Sequence, residues 1–293
     1  MAIKFQLGDV APMISVAYRF SLAAIILLIF CTTTGLNLRF GLKDHMNMAL
    51  LGTFLFSLNY WLVYISEIHL TSGLVAVIFS SIVLFNTFNG YLILRSPITL
   101  SMIMGAVIGI LGIALVFRNE IVSFDFTNDA LYGLSLGFVA AFIASLGNIT
   151  AEYSQKRGLP IVQTNAFGMT YGAIIMLSVS FLSGQTFTFP LSLSYIGSLF
   201  YLSVLGSIVA FGLYLTLLGR IGSAKAAYSI MLTPIVALVF STFFEEYQWS
   251  TSAFTGLALV LIGNVILLQS RFRMQKPPMN TPDLKPVPLG LEN

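Results

Sequence analysis

The stretch GAVIGILGIALVF, from Gly105 to Phe117, returns as GLALVLIGNVILL from Gly256 to Leu268, with Gly105 and Gly112 falling on Gly256 and Gly263. The offset is 151 residues. Similar shifts lay the segment starting at Thr71 over the one starting at Ser223, and Pro12 over Pro160 at an offset of 148. A repeat of this length built from apolar blocks is the mark of a duplicated membrane unit. Around these strings the chain reads as nine apolar spans, at about residues 11–32, 46–66, 70–93, 99–117, 131–151, 160–182, 194–217, 223–244 and 251–270. At about 1.5 Å per residue, each covers a hydrocarbon core of about 30 Å. The runs lack the alternation of barrel strands, and a lipid-facing backbone must satisfy its own hydrogen bonds, so helices are expected.

Composition agrees. Hydrophobic residues are 57% of the 293 and charged residues 9%, where a soluble domain carries about 25% charged residues. A water-soluble fold is excluded. The net charge of +3 is small and the basic residues sit in short loops, so no nucleic-acid partner is expected. Cys31, the single cysteine, cannot build an intrachain disulfide or a Cys-based metal site, and no cofactor or metal is expected. The expected partners are the lipid bilayer and a small-molecule solute. Nothing in the sequence specifies an oligomeric state.

Alternate loops hold Arg39, Lys43, Arg95, Lys156, Arg157, Arg220 and Lys225, together with Arg271, Arg273, Lys276 and Lys285 of the tail. The positive-inside rule makes this set, and the C-terminus, cytoplasmic. The opposite set holds only Lys4 and Arg118 among Asp9, Glu67, Glu120, Asp125, Asp129, Glu245 and Glu246. The duplication implies two halves of five helices, and an odd number per half inverts one half against the other. Alternating-access transport follows as the leading expectation. Met1 falls on Ile149 of the second half, so the first helix of the first half is missing here. The favoured expectation is a truncated or late-called start; the alternative is a working protein of nine helices with an outside N-terminus. The expected organisation is a first repeat over 1–117, an extracytoplasmic linker over 118–130, a second repeat over 131–270 and a disordered cytoplasmic tail over 271–293, which holds five of the ten prolines.

Candidate functional residues each have a bland counterpart. Arg19 lies about seven residues past Pro12, inside a span. An intramembrane arginine is a functional hypothesis unless it snorkels or braces a neighbouring carbonyl. Asn59, Tyr60, Trp61 and Tyr64 form a polar and aromatic cluster that either faces a solute cavity or belongs to an interfacial aromatic belt. Ser80, Ser81, Asn86, Asn148, Tyr214 and Tyr228 supply uncharged hydrogen-bonding groups for a solute or for a neighbouring helix. Pro234 permits a kink that lines a cavity or serves as a hinge. The stripe Gly133, Gly137, Ala141 and Ser145 reads as a packing face. The string GLSLG from Gly133 to Gly137 matches a hydrolase elbow, but it lies within a span, and His45 and His69 sit at span ends. No P-loop and no H-E-x-x-H occurs, so neither a nucleotide-driven pump nor a membrane metalloprotease is expected, and for want of a catalytic constellation no enzyme is expected. Carboxyl groups stand only at span edges, as Glu67 and Glu152, so coupling through Glu67, through the missing helix, or facilitated transport all stay open.

Pro12 with Arg19, the stretch NYWLVYISEIHLTSGLVAV from Asn59 to Val77, MLTPIVALVF around Pro234 and the glycine-spaced helices closing each half resemble the EamA-type transporters of the drug/metabolite transporter superfamily. The resemblance covers about residues 1 to 270. It implies ten helices in two inverted halves, and movement of amino acids, similar metabolites or toxic compounds, usually outward, across the inner cell membrane. The chain departs from it in the missing first helix and in Ile82, where the second half has Pro234. The expected fold is therefore an all-α membrane protein of two inverted repeats, with about nine helices here. Arg19, Asn59, Tyr60, Trp61, Ser80, Asn148 and Tyr228 are the expected solute-binding residues, with Pro234 as hinge. A non-transporting structural or regulatory subunit of a membrane complex is the alternative.

Overall fold

The computed structural model describes Ile3, Gln6, residues 10–230, Leu232 and residues 250–274. Pro234 and most of the eighth expected span lie outside these, as does the tail expected over 271–293 except for residues 271–274, which continue the last helix. The described chain is helical: α1 (Pro12–Thr33), α2 (Leu42–His69), α3 (Ser72–Phe79), α4 (Ile82–Leu94), α5 (Leu100–Val116), α6 (Arg118–Val122), α7 (Asn128–Lys156), α8 (Ile161–Leu182), α9 (Leu193–Ile221), α10 (Ser223–Ile230) and α11 (Thr251–Met274). Among the described residues, six helical stretches are long and apolar enough to cross a membrane. They are α1, α2, Leu74–Leu94, α7, α8 and α9, while α5 and the stretch Thr251–Ile266 of α11 are shorter apolar helices.

Helix starts follow local chemistry. The hydroxyls of Thr71, Thr99, Thr127 and Ser192 accept the backbone N–H three residues on, at 3.2 to 3.3 Å, and so satisfy amides that each first turn would leave orphaned. Pro12 opens α1, where its missing N–H costs nothing. The third expected span is broken at Ser80 and Ser81. Ser81 N–H reaches Ile78 O at 3.0 Å, a tighter turn than the α-helix, and the Ser80 hydroxyl takes the Val77 carbonyl.

The two halves are related by inversion. A Cβ placed on Gly105 would lie 2.9 Å from Gly263 O, and one on Gly112 would lie 2.7 Å from Gly256 O. Only glycine lets α5 and α11 touch backbone to backbone in this way. The pairs run in opposite order along the two helices, so these duplicated helices are antiparallel. A second duplicated pair, α1 and α8, packs along its length around Phe20, Leu51, Phe56, Ala166 and Met169. Both halves also carry a π-helical turn at the same place, Gly52–Leu58 within α2 and Val204–Val209 within α9, which the sequence did not announce. Arg157 Nη2 meets Asp44 Oδ1 at 3.1 Å at one end of the bundle, the basic end. At the opposite end the start of α7 rests on the end of α2, where a Cβ on Gly133 would lie 2.8 Å from His69 Cβ. The outer surface is apolar, with Ile25, Ile29, Leu92, Phe200 and Leu213 all exposed, as suits a surface bathed in hydrocarbon.

Candidate functional site: a cavity between the halves

A cavity of about 470 Å³ lies between the halves. From the first half its wall takes Leu55, Asn59, Tyr60, Val63 and Glu67 of α2, Val75, Ala76 and Phe79 of α3, and Ile82. From the second it takes Ala144 and Asn148 of α7, Gly206, Ala210, Phe211 and Tyr214 of α9, and Ser229 and Ile230 of α10. Asn59, Val63 and Glu67 are spaced four residues apart, so they share one face of α2. Tyr60 and Phe211 meet edge to face across the halves, with centroids 6.1 Å apart. The wall is thus largely apolar and aromatic, with a few polar groups, the usual make-up of a small-molecule site.

Arg19 stands behind this wall. Its Nε donates to Ser207 Oγ at 2.9 Å and its Nη2 to Gly206 O at 3.1 Å, both in the π turn of α9. A π turn disturbs the regular ladder and leaves carbonyls in need of donors; the guanidinium supplies one to Gly206 O. Its carbon lies 4.4 Å from the Tyr60 ring centroid and 5.2 Å from that of Phe20, so aromatic faces cover the charge. Ser203 Oγ returns a bond to Arg19 O at 3.0 Å. Arg19 is 2% exposed and is bound to protein, not aimed at lipid.

Between the cavity and the basic end lies a polar network. Asn86 Nδ2 donates to Ser223 O at 3.0 Å, and Asn148 Nδ2 donates to Asn86 Oδ1 at 3.4 Å. Below them Ser223 N–H donates to Glu152 Oε2 at 2.6 Å, so the carboxylate caps α10. Lys156 Nζ holds Glu152 Oε1 at 2.8 Å, and Gln155 Nε2 donates to Leu215 O at 2.9 Å. These bonds join α4 and α7 to α9 and α10.

Of the residues expected to bind solute, Asn59, Tyr60 and Asn148 are brought together in the wall. Arg19, Trp61, Ser80 and Tyr228 are not. Trp61 follows Tyr60 by one residue, about 100° around the helix, and packs half-buried on the core that holds Phe20 and Leu51. Ser80 bonds its own turn. The Tyr228 hydroxyl donates to Met102 O and ties α10 to α5. Tyr64 is fully buried and donates to Gln6 Oε1 at 2.8 Å, so the aromatic cluster points into the bundle and not to an interfacial belt. Glu67, Phe79, Phe211 and Ser229 join the wall without having been singled out as solute ligands. For Glu67 the four-residue stripe from Asn59 was the available signal.

Inverted helical halves around a central cavity define a class, the polytopic membrane proteins built as carriers. The chain belongs to the EamA-like transporter family, whose profile matches residues 1–118 and 131–269. It is similar to the uncharacterized transporter YoaV of Bacillus subtilis (strain 168), at 24% identity over 90% of this chain and 89% of that one. It is also similar to the uncharacterized inner membrane transporter YedA of Escherichia coli (strain K12), at 24% identity over 96% and 89%. An uncharacterized transporter of Archaeoglobus fulgidus matches at 23% identity over 92% and 93%. A solved crystal structure shares the fold with a TM-score of 0.75 and 14% identity, over 94% of this chain and 92% of that one.

Proposed function

We propose that the protein is a secondary transporter that exports a small amphipathic solute, an amino acid or a metabolite of similar size, across the inner cell membrane. The observation that carries this is the cavity between the two halves, with a network of hydrogen bonds between helices on its basic side, which we read as a seal. The repeats expected over 1–117 and 131–270 are the moving parts, and breaking the Asn86, Asn148 and Glu152 contacts while sealing the opposite end exchanges the side of access. Positive-inside charge puts the basic end, and with it the C-terminus, in the cytoplasm. The cavity then faces outward, in the state that follows solute release. Asn59, Tyr60 and Asn148 contact the solute, and Arg19 positions Tyr60 and the π turn of α9. Counterflow in proteoliposomes, run over a panel of amino acids and related metabolites, tests the proposal. Protein-dependent exchange of at least one solute is expected, and a complete absence of exchange across the panel overturns it.

A further inference from the structure

We infer that the cavity recognises its solute through an ammonium group on an apolar body, and not through a carboxylate; this deepens the transport reading and rests on it. The argument starts from hydrogen-bond direction. Ser223 O is a carbonyl and can only accept, so the Asn86 amide must turn its Nδ2 to it and its Oδ1 toward α7. Asn148 must therefore offer Nδ2 to Asn86 and is left with Oδ1. That oxygen makes no hydrogen bond, and the same holds for Oδ1 of Asn59 and for the Tyr214 hydroxyl, which can donate or accept. Both asparagines belong to the wall, and they are 1% and 4% exposed. Buried acceptors without donors are costly, and a solute carrying N–H donors relieves them.

The charge balance of the wall points the same way. Among the described residues that line the cavity, Glu67 has the one ionisable carboxyl group and there is no lysine or arginine. The rings of Phe79, Phe211 and Tyr214 offer aromatic surface both to a cation and to an apolar body. Arg19 keeps its charge, since its partners are neutral, but it stands behind the Tyr60 ring. Its Nε and Nη2 are taken by Ser207 and Gly206, and it stands outside the lining. A carboxylate entering the cavity finds no cation in its described lining, whereas an ammonium finds acceptors and aromatic faces.

Three probes of one shape isolate the groups: phenethylamine with the amine alone, phenylalanine with both charges, and 3-phenylpropionate with the carboxylate alone. Binding to the full chain purified in detergent is read by calorimetry at neutral pH, where phenethylamine is protonated. Phenethylamine is expected to bind tightest and 3-phenylpropionate not to bind. Asn148→Leu and Asn59→Leu are each expected to weaken phenethylamine by about tenfold or more, the scale of a lost hydrogen bond to a charged group. Should either leucine variant fail to fold, Glu67→Gln, which keeps the shape, is expected to weaken the amine by a similar factor. Tighter binding of 3-phenylpropionate or phenylalanine than of phenethylamine overturns the inference and leaves the transport reading standing, as does unchanged amine affinity in the folded variants. If none of the three binds while counterflow finds another solute, the inference again falls alone. If counterflow finds no solute at all, it falls with the transport reading.

Discussion

Replacing Gly112 with alanine tests the backbone contact between α5 and α11. The added Cβ would stand 2.7 Å from Gly256 O, 2.8 Å from Val260 N and 2.8 Å from Val260 Cγ2. Ordinary contact begins near 3.4 Å, so α5 and α11 must part by roughly 0.7 Å, and backbone atoms cannot step aside as a flexible side chain can. Overpacking of this kind costs about 1–3 kcal/mol, partly offset by up to about 1 kcal/mol of better helix propensity. A net loss of about 1–2 kcal/mol is expected, seen as a fall of several degrees in the melting temperature of the purified protein. Gly256→Ala meets Gly112 O at 2.5 Å and Val116 N at 2.7 Å and is expected to behave alike. The two substitutions push on the same contact, so once one has parted the helices the second costs less, and the double variant should lose less than the sum. Gly197→Ala and Gly212→Ala serve as controls because a Cβ there meets nothing within 4 Å. Parent-like melting of Gly112→Ala, or full additivity in the double variant, refutes the backbone contact.

Arg19→Leu removes the donors to Gly206 O and Ser207 Oγ. It should cost about 1–3 kcal/mol for the carbonyl left buried, with Arg19→Lys intermediate because one ammonium replaces a two-donor fork; an Arg19→Leu protein that melts and transports like the parent rules out the positioning role. Glu152→Gln weakens both the Lys156 pair and the cap on Ser223 N–H. A cysteine introduced at Ala224, which lines a small cavity at the basic end, should then react faster with a thiol reagent in a Cys31→Ala background, and unchanged labelling counts against the basic-end seal. A reporter fused after Ser270 should be active only in its cytoplasmic form, and activity outside the membrane would reverse the topology.

Much of the fold was legible in the chain because lipid imposes its demand on every span separately. Each crossing needs a long apolar run whatever it packs against, so the spans could be read one at a time. Basic residues fall in alternate loops, and the contact of α5 with α11 left its mark as paired glycines, Gly105 with Gly263 and Gly112 with Gly256. The interior was not legible in the same way. Lipid is as apolar as the packed core, so the buried and exposed faces of a span carry similar residues and hydropathy does not reveal the rotation of a helix. Tyr60 and Trp61 look equivalent in the sequence, and only the packing of α2 turns one to the cavity and the other to the core. The π turns at Gly52–Leu58 and Val204–Val209 have no local signature. Arg19 could be recognised as a charge in need of a partner, but that partner is Gly206 with Ser207, nearly two hundred residues away. Likewise the direction of the amides from Ser223 through Asn86 to Asn148 is set by contacts among α4, α7 and α10. Hydropathy and charge act on a segment alone and can be read from it, whereas a cavity is made by which faces meet, and that is decided only when the two halves close on each other.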